Sequence, residues 1–295
     1  MVKNKAYTVS FLIALGFFIV ILRLFYFQIL KRDEYTQFIK KQYYTQEKII
    51  LPRGTIYDRN GKILAISVPT IDIFVLTKYI KNKELLAKEL SLILKKPYYH
   101  ILKKLNSKQN YVVIARNVDK SLKKRLLKLR RDLKEWNLGL IDSSKRFYPL
   151  GSIGGSNIGF VSKITGKGME GLELKYDSKL GGGTGKILMM KDALGNPFTI
   201  EKEEEKDRYD IKLTIDSNIQ YIAEEALKKF VRLRKPKEAL ILIVDPQTGN
   251  IIANATYPDY NPNLYWKYRF HKNISFQSAY EPGPFIKPFV PGRSN

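Results

Sequence analysis

The sequence predicts an α+β protein behind one apolar N-terminal helix, and three observations carry that reading. An uncharged apolar run near the start approaches the thickness of a bilayer. Strand-like and helix-like segments then alternate irregularly. Near residue 207 a second unit opens, with a long amphipathic helix followed by an apolar hairpin. The 295 residues are 44% hydrophobic and 12% aromatic with ordinary glycine and proline counts, which excludes a disordered chain. The chain has no cysteine, so a disulfide scaffold, an iron–sulfur or Cys-rich zinc site and a thiol nucleophile are all excluded. Two histidines, His100 and His271, cannot build a His-rich metal site, and no cofactor is expected. Fifty-two Lys and Arg against 28 Asp and Glu give a net charge of +24, which implies polyanionic surroundings: nucleic acid, anionic lipid or an acidic polymer.

The first element is the anchor. Ala6 to Leu22 carries no charge and spans roughly 25 Å as a helix. Arg23 and the aromatic Phe25-Tyr26-Phe27 extend it as a snorkelling cation and an interfacial belt, giving a transmembrane segment over 6–30 behind a short tail, 1–5. No small-x-small cleavage site follows, which sets aside a removed signal peptide. Basic residues lie on both sides of the span, and charge counting leaves its orientation open.

Residues 31–50 read as a polar stalk, helical over Asp33–Gln46. A first unit, 51–206, follows. Asn60-Gly61 between Thr55–Tyr57 and Ile63–Ile66 is hairpin-turn chemistry. Lys83–Lys95 spaces Leu85, Leu86, Leu90, Ile93 and Leu94 as a helix ending before Pro97. Tyr111–Ala115 reads as a short strand, and Asp119–Leu133 as a basic helix with Leu122, Leu126, Leu129 and Leu133 on one stripe. The charged run Glu201–Asp207 reads as a linker.

In the second unit, 207–295, Ser217 and Gln220 suggest a capping box. Behind it Ile219, Ile222, Ala223, Ala226, Leu227, Phe230 and Val231 form one apolar helical face, closed by Pro236. Ala239–Val244, a turn over 245–250 and Ile251–Ala255 predict a hairpin with at least one fully buried strand. Forty residues remain after it, too few to cover both faces of such a sheet, so the unit reads as incomplete.

Three local motifs tempt and fail. Gly166-x-Gly168-x-x-Gly171 lacks the following helix of a dinucleotide fold. The stretch Gly181 to Lys186 lacks the first glycine and the Ser or Thr of a phosphate loop. Ser121-x-x-Lys124 lies in a Lys-rich helix, where such a pair arises by chance.

The informative segment is Tyr280-Glu281-Pro282-Gly283-Pro284-Phe285-Ile286-Lys287-Pro288-Phe289. Six further pieces stand before it in order: Arg53-Gly54 to Gly61; Arg146-x-Tyr148-Pro149 with Ile158-Gly159-Phe160; Gly168-x-Glu170-Gly171-x-Glu173 with Tyr176-Asp177; Leu213 to Asp216 with Gln220; Asp245-Pro246-x-Thr248-Gly249; and Tyr260-Asn261-Pro262-Asn263. Together they resemble the class B penicillin-binding proteins, the membrane-anchored peptidoglycan D,D-transpeptidases, and the compact spacing from Gly159 to Glu173 is similar to their division-type branch. The resemblance implies a single-pass protein of the bacterial cytoplasmic (inner) membrane with its bulk extracytoplasmic. It would comprise an α+β pedestal, the penicillin-binding protein dimerisation domain, and then the incomplete start of a transpeptidase domain. Implied partners are membrane lipid, peptidoglycan stem peptides and other division or cell-wall proteins. Nucleic acid is not expected, since the membrane surface and wall polymers account for the positive charge.

In the family, a Ser-x-x-Lys serine attacks the D-Ala-D-Ala carbonyl, the lysine one turn away helps take its proton, and β-lactams acylate the same serine. Here Pro284 occupies the serine position while Lys287 keeps the lysine's. The resemblance therefore implies a chain without transpeptidation or β-lactam acylation. The later Ser-x-Asn and Lys-Thr-Gly elements do not follow. Two accounts compete: a truncated or frameshifted transpeptidase, which the half-formed second unit favours, and a non-catalytic anchor-plus-pedestal protein docking division partners.

Overall fold

In the computed structural model, residues 15–26, 29, 31, 44–191, 197–202, 207–269 and 272–279 are described. Two compact units emerge: 1–47 with 186–202, and 48–185 with 203–295.

In the first unit residues 15–25 are helical, and Phe17, Ile21 and Leu24 on this stretch are exposed. The anchor expected over 6–30 lies largely outside the described residues, and among the described residues no helix is long and apolar enough to cross a membrane. Strand β1 (Tyr44–Ile50) belongs to a three-stranded sheet, ordered β1–β6–β7, with β6 (Thr184–Lys191) and β7 (Pro197–Lys202) antiparallel. This corrects two expectations. Residues 44–46, assigned to a helical stalk, are strand, because an alternating run of backbone donors and acceptors finds a ladder partner in β6. For the same reason Glu201 and Lys202 close a strand rather than open a linker.

The second unit is built around β3 (Ile63–Leu76), which runs 14 residues. β2 (Ile56–Tyr57) turns into it through Asn60-Gly61, where Gly61 takes the positive φ of 85° that the turn requires. β4 (Tyr111–Asp119) and β5 (Leu138–Phe147) flank β3 antiparallel, and β8 (Ile211–Lys212) joins β2 in parallel. The sequence reading took only Ile63–Ile66, the first residues of β3, whereas the strand continues through Pro69. Pairing with β4 begins at Thr70, so at Pro69 that edge has no ladder hydrogen bond to lose. β4 likewise runs to Asp119, four residues past its expected end.

Three helices, α1 (Lys83–Leu94), α2 (Tyr98–Leu105) and α3 (Lys123–Asp132), cover one face of this sheet. Asn82 caps α1 by accepting from Leu85 N at 3.0 Å. Leu86, Leu90, Ile101, Leu105 and Leu126 are buried against Ile71, Ile73 and Leu138. Of the residues expected on the α1 stripe, Leu85 instead faces outward, and Ala87 takes the buried place. The basic helix starts later than expected, since Asp119 caps a 3₁₀ turn over Lys120–Leu122 before α3. Short helices α4 (Gly155–Ile158), α5 (Gly171–Lys175) and α6 (Asp177–Leu180) follow β5.

The remainder packs into the same unit. α7 (Ser217–Arg234) precedes the antiparallel hairpin of β9 (Ala239–Val244) and β10 (Ile251–Tyr257), and α8 (Ile274–Gln277) follows. Asp216, not Ser217, caps α7, its carboxylate accepting from Asn218 N and Ile219 N. The side chains expected to form a capping box are committed elsewhere: Ser217 to Asp58, Gln220 to β10 and Glu224. Ala223 and Leu227 are buried as expected, but Ile222 and Phe230 are exposed, because the packed face is rotated towards Gln220 and Glu224. Burial in the hairpin falls on β10. Among the described residues the apolar run of β9 pairs with β10 alone, and it packs Ala239 and Ile241 towards α7 while leaving Leu240, Leu242 and Val244 exposed.

Candidate functional site

The predicted site residues Pro284 and Lys287 lie outside the described residues. What the structure describes is the framework that leads to them: two buried polar clusters and a cavity.

The first cluster centres on Glu173, which is fully buried. Its Oε2 accepts from Arg53 Nε at 3.0 Å and its Oε1 from Arg146 Nε at 2.6 Å. Arg53 Nη1 reaches Asp177 Oδ1 at 2.6 Å, and Nη2 donates to the Glu173 carbonyl at 3.0 Å. Arg146 Nη1 donates to the Gly54 carbonyl at 2.7 Å, while its Nη2 is buried with no hydrogen-bond partner among the described residues. Two guanidinium groups thus meet two carboxylates, and the forked donors suit that pairing better than a lysine would. The Tyr148 hydroxyl points at Glu173 Oε1 at 3.4 Å. Burial and the neighbouring Glu173 charge push its pKa well above the usual tyrosine value, so it stays a neutral donor.

Glycines make room for this cluster. At Gly182, with φ of 88°, a Cβ would run into the Arg53 side chain. The Gly168 amide donates to Asp177 Oδ1 at 2.7 Å, so the glycine pattern that resembles a dinucleotide motif serves an internal carboxylate.

The second cluster ties α7, β10 and α8 to the loop around α4. Asn254 on β10 donates from Nδ2 to Asn157 Oδ1 at 2.7 Å, and Asn157 Nδ2 returns a bond to the Asn254 carbonyl at 2.7 Å. Gln220 on α7 exchanges two bonds with the Asn254 backbone, at 2.9 and 2.8 Å. Asn273, the cap of α8, donates to Asn157 Oδ1 and to the Ser156 carbonyl, and Ser275 Oγ donates to Asn254 Oδ1 at 2.6 Å. Ser156 Oγ and Thr256 Oγ1 share a bond of 2.8 Å. α8 is therefore held on both sides immediately before the chain enters Tyr280–Phe289.

Two smaller contacts complete the frame. Asn263 makes a two-point contact with the Tyr148 backbone at 2.8 and 3.1 Å. Asp58, in the β2–β3 turn, accepts from Ser217 Oγ at 2.7 Å and from the Asn60 and Lys62 amides at 2.8 Å each. Burial raises the Asp58 carboxyl, but hydrogen bonds led by Ser217 outweigh it and hold the pKa below the usual value.

A cavity of about 620 Å³ lies beside the second cluster, walled by Leu172, Leu174, Tyr176, Leu213, Ile251 and Phe276. Among the described residues, no group of three or more His, Asp or Glu is placed to hold a metal ion.

Arg53, Arg146, Glu173 and Asp177 come from three of the short sequence pieces, and the fold gathers them from as far as 124 residues apart. Asn157, Asn254 and Asn273 carried no role in the sequence reading. The one signal for them was a buried-strand position, 254, filled by an amide in an otherwise apolar run.

The second cluster and the Asp58 contact tie the segment from residue 207 onward to the sheet and short helices that precede it, and similarity to known proteins assigns the two stretches to two domains. The profile of the penicillin-binding protein dimerisation domain matches residues 48–213, and that of the penicillin-binding protein transpeptidase domain matches 239–291. The chain belongs to the penicillin-binding protein family. It is 33% identical over 247 residues to the probable peptidoglycan D,D-transpeptidase PenA of Neisseria meningitidis, covering 81% of this chain and 42% of the relative. It is 32% identical to the peptidoglycan D,D-transpeptidase FtsI of Buchnera aphidicola, covering 83% and 44%, and 31% identical to stage V sporulation protein D of Bacillus subtilis, covering 80% and 37%. The crystal structure of penicillin-binding protein 2X from Streptococcus thermophilus superposes with a TM-score of 0.59 at 25% identity, covering 75% of this chain and 36% of that one. The chain spans less than half the length of these relatives.

Proposed function

We propose that this chain is a division-type, membrane-anchored penicillin-binding protein of septal peptidoglycan synthesis that performs no transpeptidation as it stands. In this reading 6–30 is a single anchor in the bacterial cytoplasmic membrane, 51–206 an extracytoplasmic pedestal, and 207–295 the opening part of a transpeptidase domain. The observation that carries the inactivity is Pro284. The family reaction needs a serine oxygen to bond the D-Ala carbonyl carbon while the terminal D-Ala leaves, and a proline ring offers no such oxygen. Lys287 would remain as a cation without a nucleophile to activate. Labelling with a fluorescent β-lactam tests this: the purified chain is expected to carry no covalent label after denaturing electrophoresis. A band that disappears on competition with excess unlabelled penicillin overturns it.

A second reading, a pedestal that docks division partners, is favoured by Leu92 and Tyr99, which stand 64% and 68% exposed on α1 and α2. It expects a Leu92→Glu, Tyr99→Glu chain that still folds to lose capture of membrane-anchored division proteins that the parent retains.

A further inference from the structure

Two segments far apart in sequence are stitched into one corner of the helical layer. The Glu135 carboxylate accepts from the Lys81 and Asn82 amides at 3.0 and 3.4 Å. Asn137 Nδ2 donates to the Tyr79 carbonyl at 3.2 Å, and the Leu76 amide donates to the Asn137 carbonyl at 3.1 Å. The turn over Thr77–Tyr79 and the start of α1 therefore lie beside the end of α3. Across 77–83 and 130–137 the chain carries six cations and two acids, and one of those acids, Glu135, is buried. Lys78, Lys81, Arg131 and Lys134 are exposed and make no ion pair among the described residues. The exposed acids, Asp132 and Glu84 just beyond, leave the corner strongly positive. Two aromatic rings project among these cations: Tyr79 is 45% exposed and Trp136 46%. The Arg130 guanidinium lies over the Trp136 ring, 5.6 Å from its centroid.

We propose that this corner docks on an anionic lipid bilayer, with Lys78, Lys81, Arg131 and Lys134 meeting headgroup phosphates while Trp136 and Tyr79 enter the interface. The excess of unpaired cations selects an anionic partner. Lys124, Lys128 and Arg131 recur on one exposed stripe of α3 and extend the positive field away from the corner. The rings narrow the choice. A soluble polyphosphate neutralises cations but offers an indole body no apolar layer, whereas a bilayer interface presents phosphates and an acyl boundary together. Clusters of Lys and Arg at a membrane surface gather anionic lipid by the same electrostatics. Each such contact is weak alone. The proposal rests on the membrane-anchored reading, because an anchor in the same chain keeps a bilayer within reach and raises its effective concentration. It does not depend on whether the chain is catalytic.

The test uses the full chain reconstituted in phosphatidylcholine vesicles with and without phosphatidylglycerol. The chain has two tryptophans, so Trp266→Phe leaves Trp136 as the single reporter. With brominated acyl chains, Trp136 is expected to be quenched about twofold more when phosphatidylglycerol is present, and salt at about 1 M to remove that excess. Lys78→Glu, Lys81→Glu and Arg131→Glu together are expected to abolish it. Lys229→Glu, Arg232→Glu and Lys237→Glu, an equal charge change on and just beyond α7, are expected to leave it intact. Equal quenching in both lipids, or equal loss in the α7 control, overturns the surface. A Trp136 that responds to soluble polyphosphate or single-stranded DNA but not to anionic vesicles assigns the corner to a polymer and overturns it too. Release of the chain from both vesicle types by an alkaline wash overturns the anchor alone, since the quenching before the wash still reports the corner. Should Trp266→Phe fail to fold, the difference between the parent and Trp136→Phe supplies the same reading.

Discussion

Around Glu173 the chain buries two guanidinium groups against two carboxylates, whereas around Asn254 it buries amides and hydroxyls, with two acids at the edge. Both clusters join segments a hundred or more residues apart, and both must replace the water their polar groups lose on folding. The charged cluster does so with strong, forked bonds whose loss strands a charge. The amide cluster spreads the task over many weaker bonds, each of which also fixes an orientation. A fold can therefore tolerate losing one member of the second cluster far better than losing the centre of the first.

Three substitutions break or sharpen that contrast. Glu173→Ala leaves Arg146 without a carboxylate and Arg53 with only Asp177, and is expected to cost about 3–5 kcal/mol in urea unfolding, enough to abolish the fold in a marginal domain. A loss below 1 kcal/mol would mean that water reaches the cluster. Asn254→Ala removes the donor to Asn157 and the acceptor for Ser275, and is expected to cost about 1–3 kcal/mol while leaving the unfolding cooperative. Parity with Glu173→Ala would erase the distinction between the clusters. Thr256→Val deletes one neutral bond to Ser156 at nearly constant volume, so about 0.5–1.5 kcal/mol is expected in the same assay. An effect larger than that of Asn254→Ala would shift the weight of the cluster away from its amides.

Much of the local structure could be read from the residues. Asn60-Gly61 marked its hairpin, Asp245 to Asn250 marked another, and the spacing of apolar residues located α1 and α7. Where the reading failed, a distant partner had decided the matter. Pro69 stands in a strand because the β4 ladder starts one residue later. Ser217 looks like a cap in sequence but bonds to a carboxylate 159 positions away, leaving Asp216 to cap the helix. β9 is the more apolar strand of its hairpin, yet β10 is the buried one, since packing against α7 and the Asn157 loop lies on its side. The candidate site divides in the same way. Pro284 and Lys287 are legible only from the order of the motif around them, whereas the cluster that holds α8 ahead of them gave almost no sequence signal.

By itself the sequence determined most of the element types, the hairpin turns and the presence of a proline at position 284, because these depend on single residues and their near neighbours. Only the tertiary structure decided which faces are buried and which acids are paired with arginines. Those outcomes depend on groups far apart in the chain meeting in a space from which water is excluded, and no local pattern records that meeting.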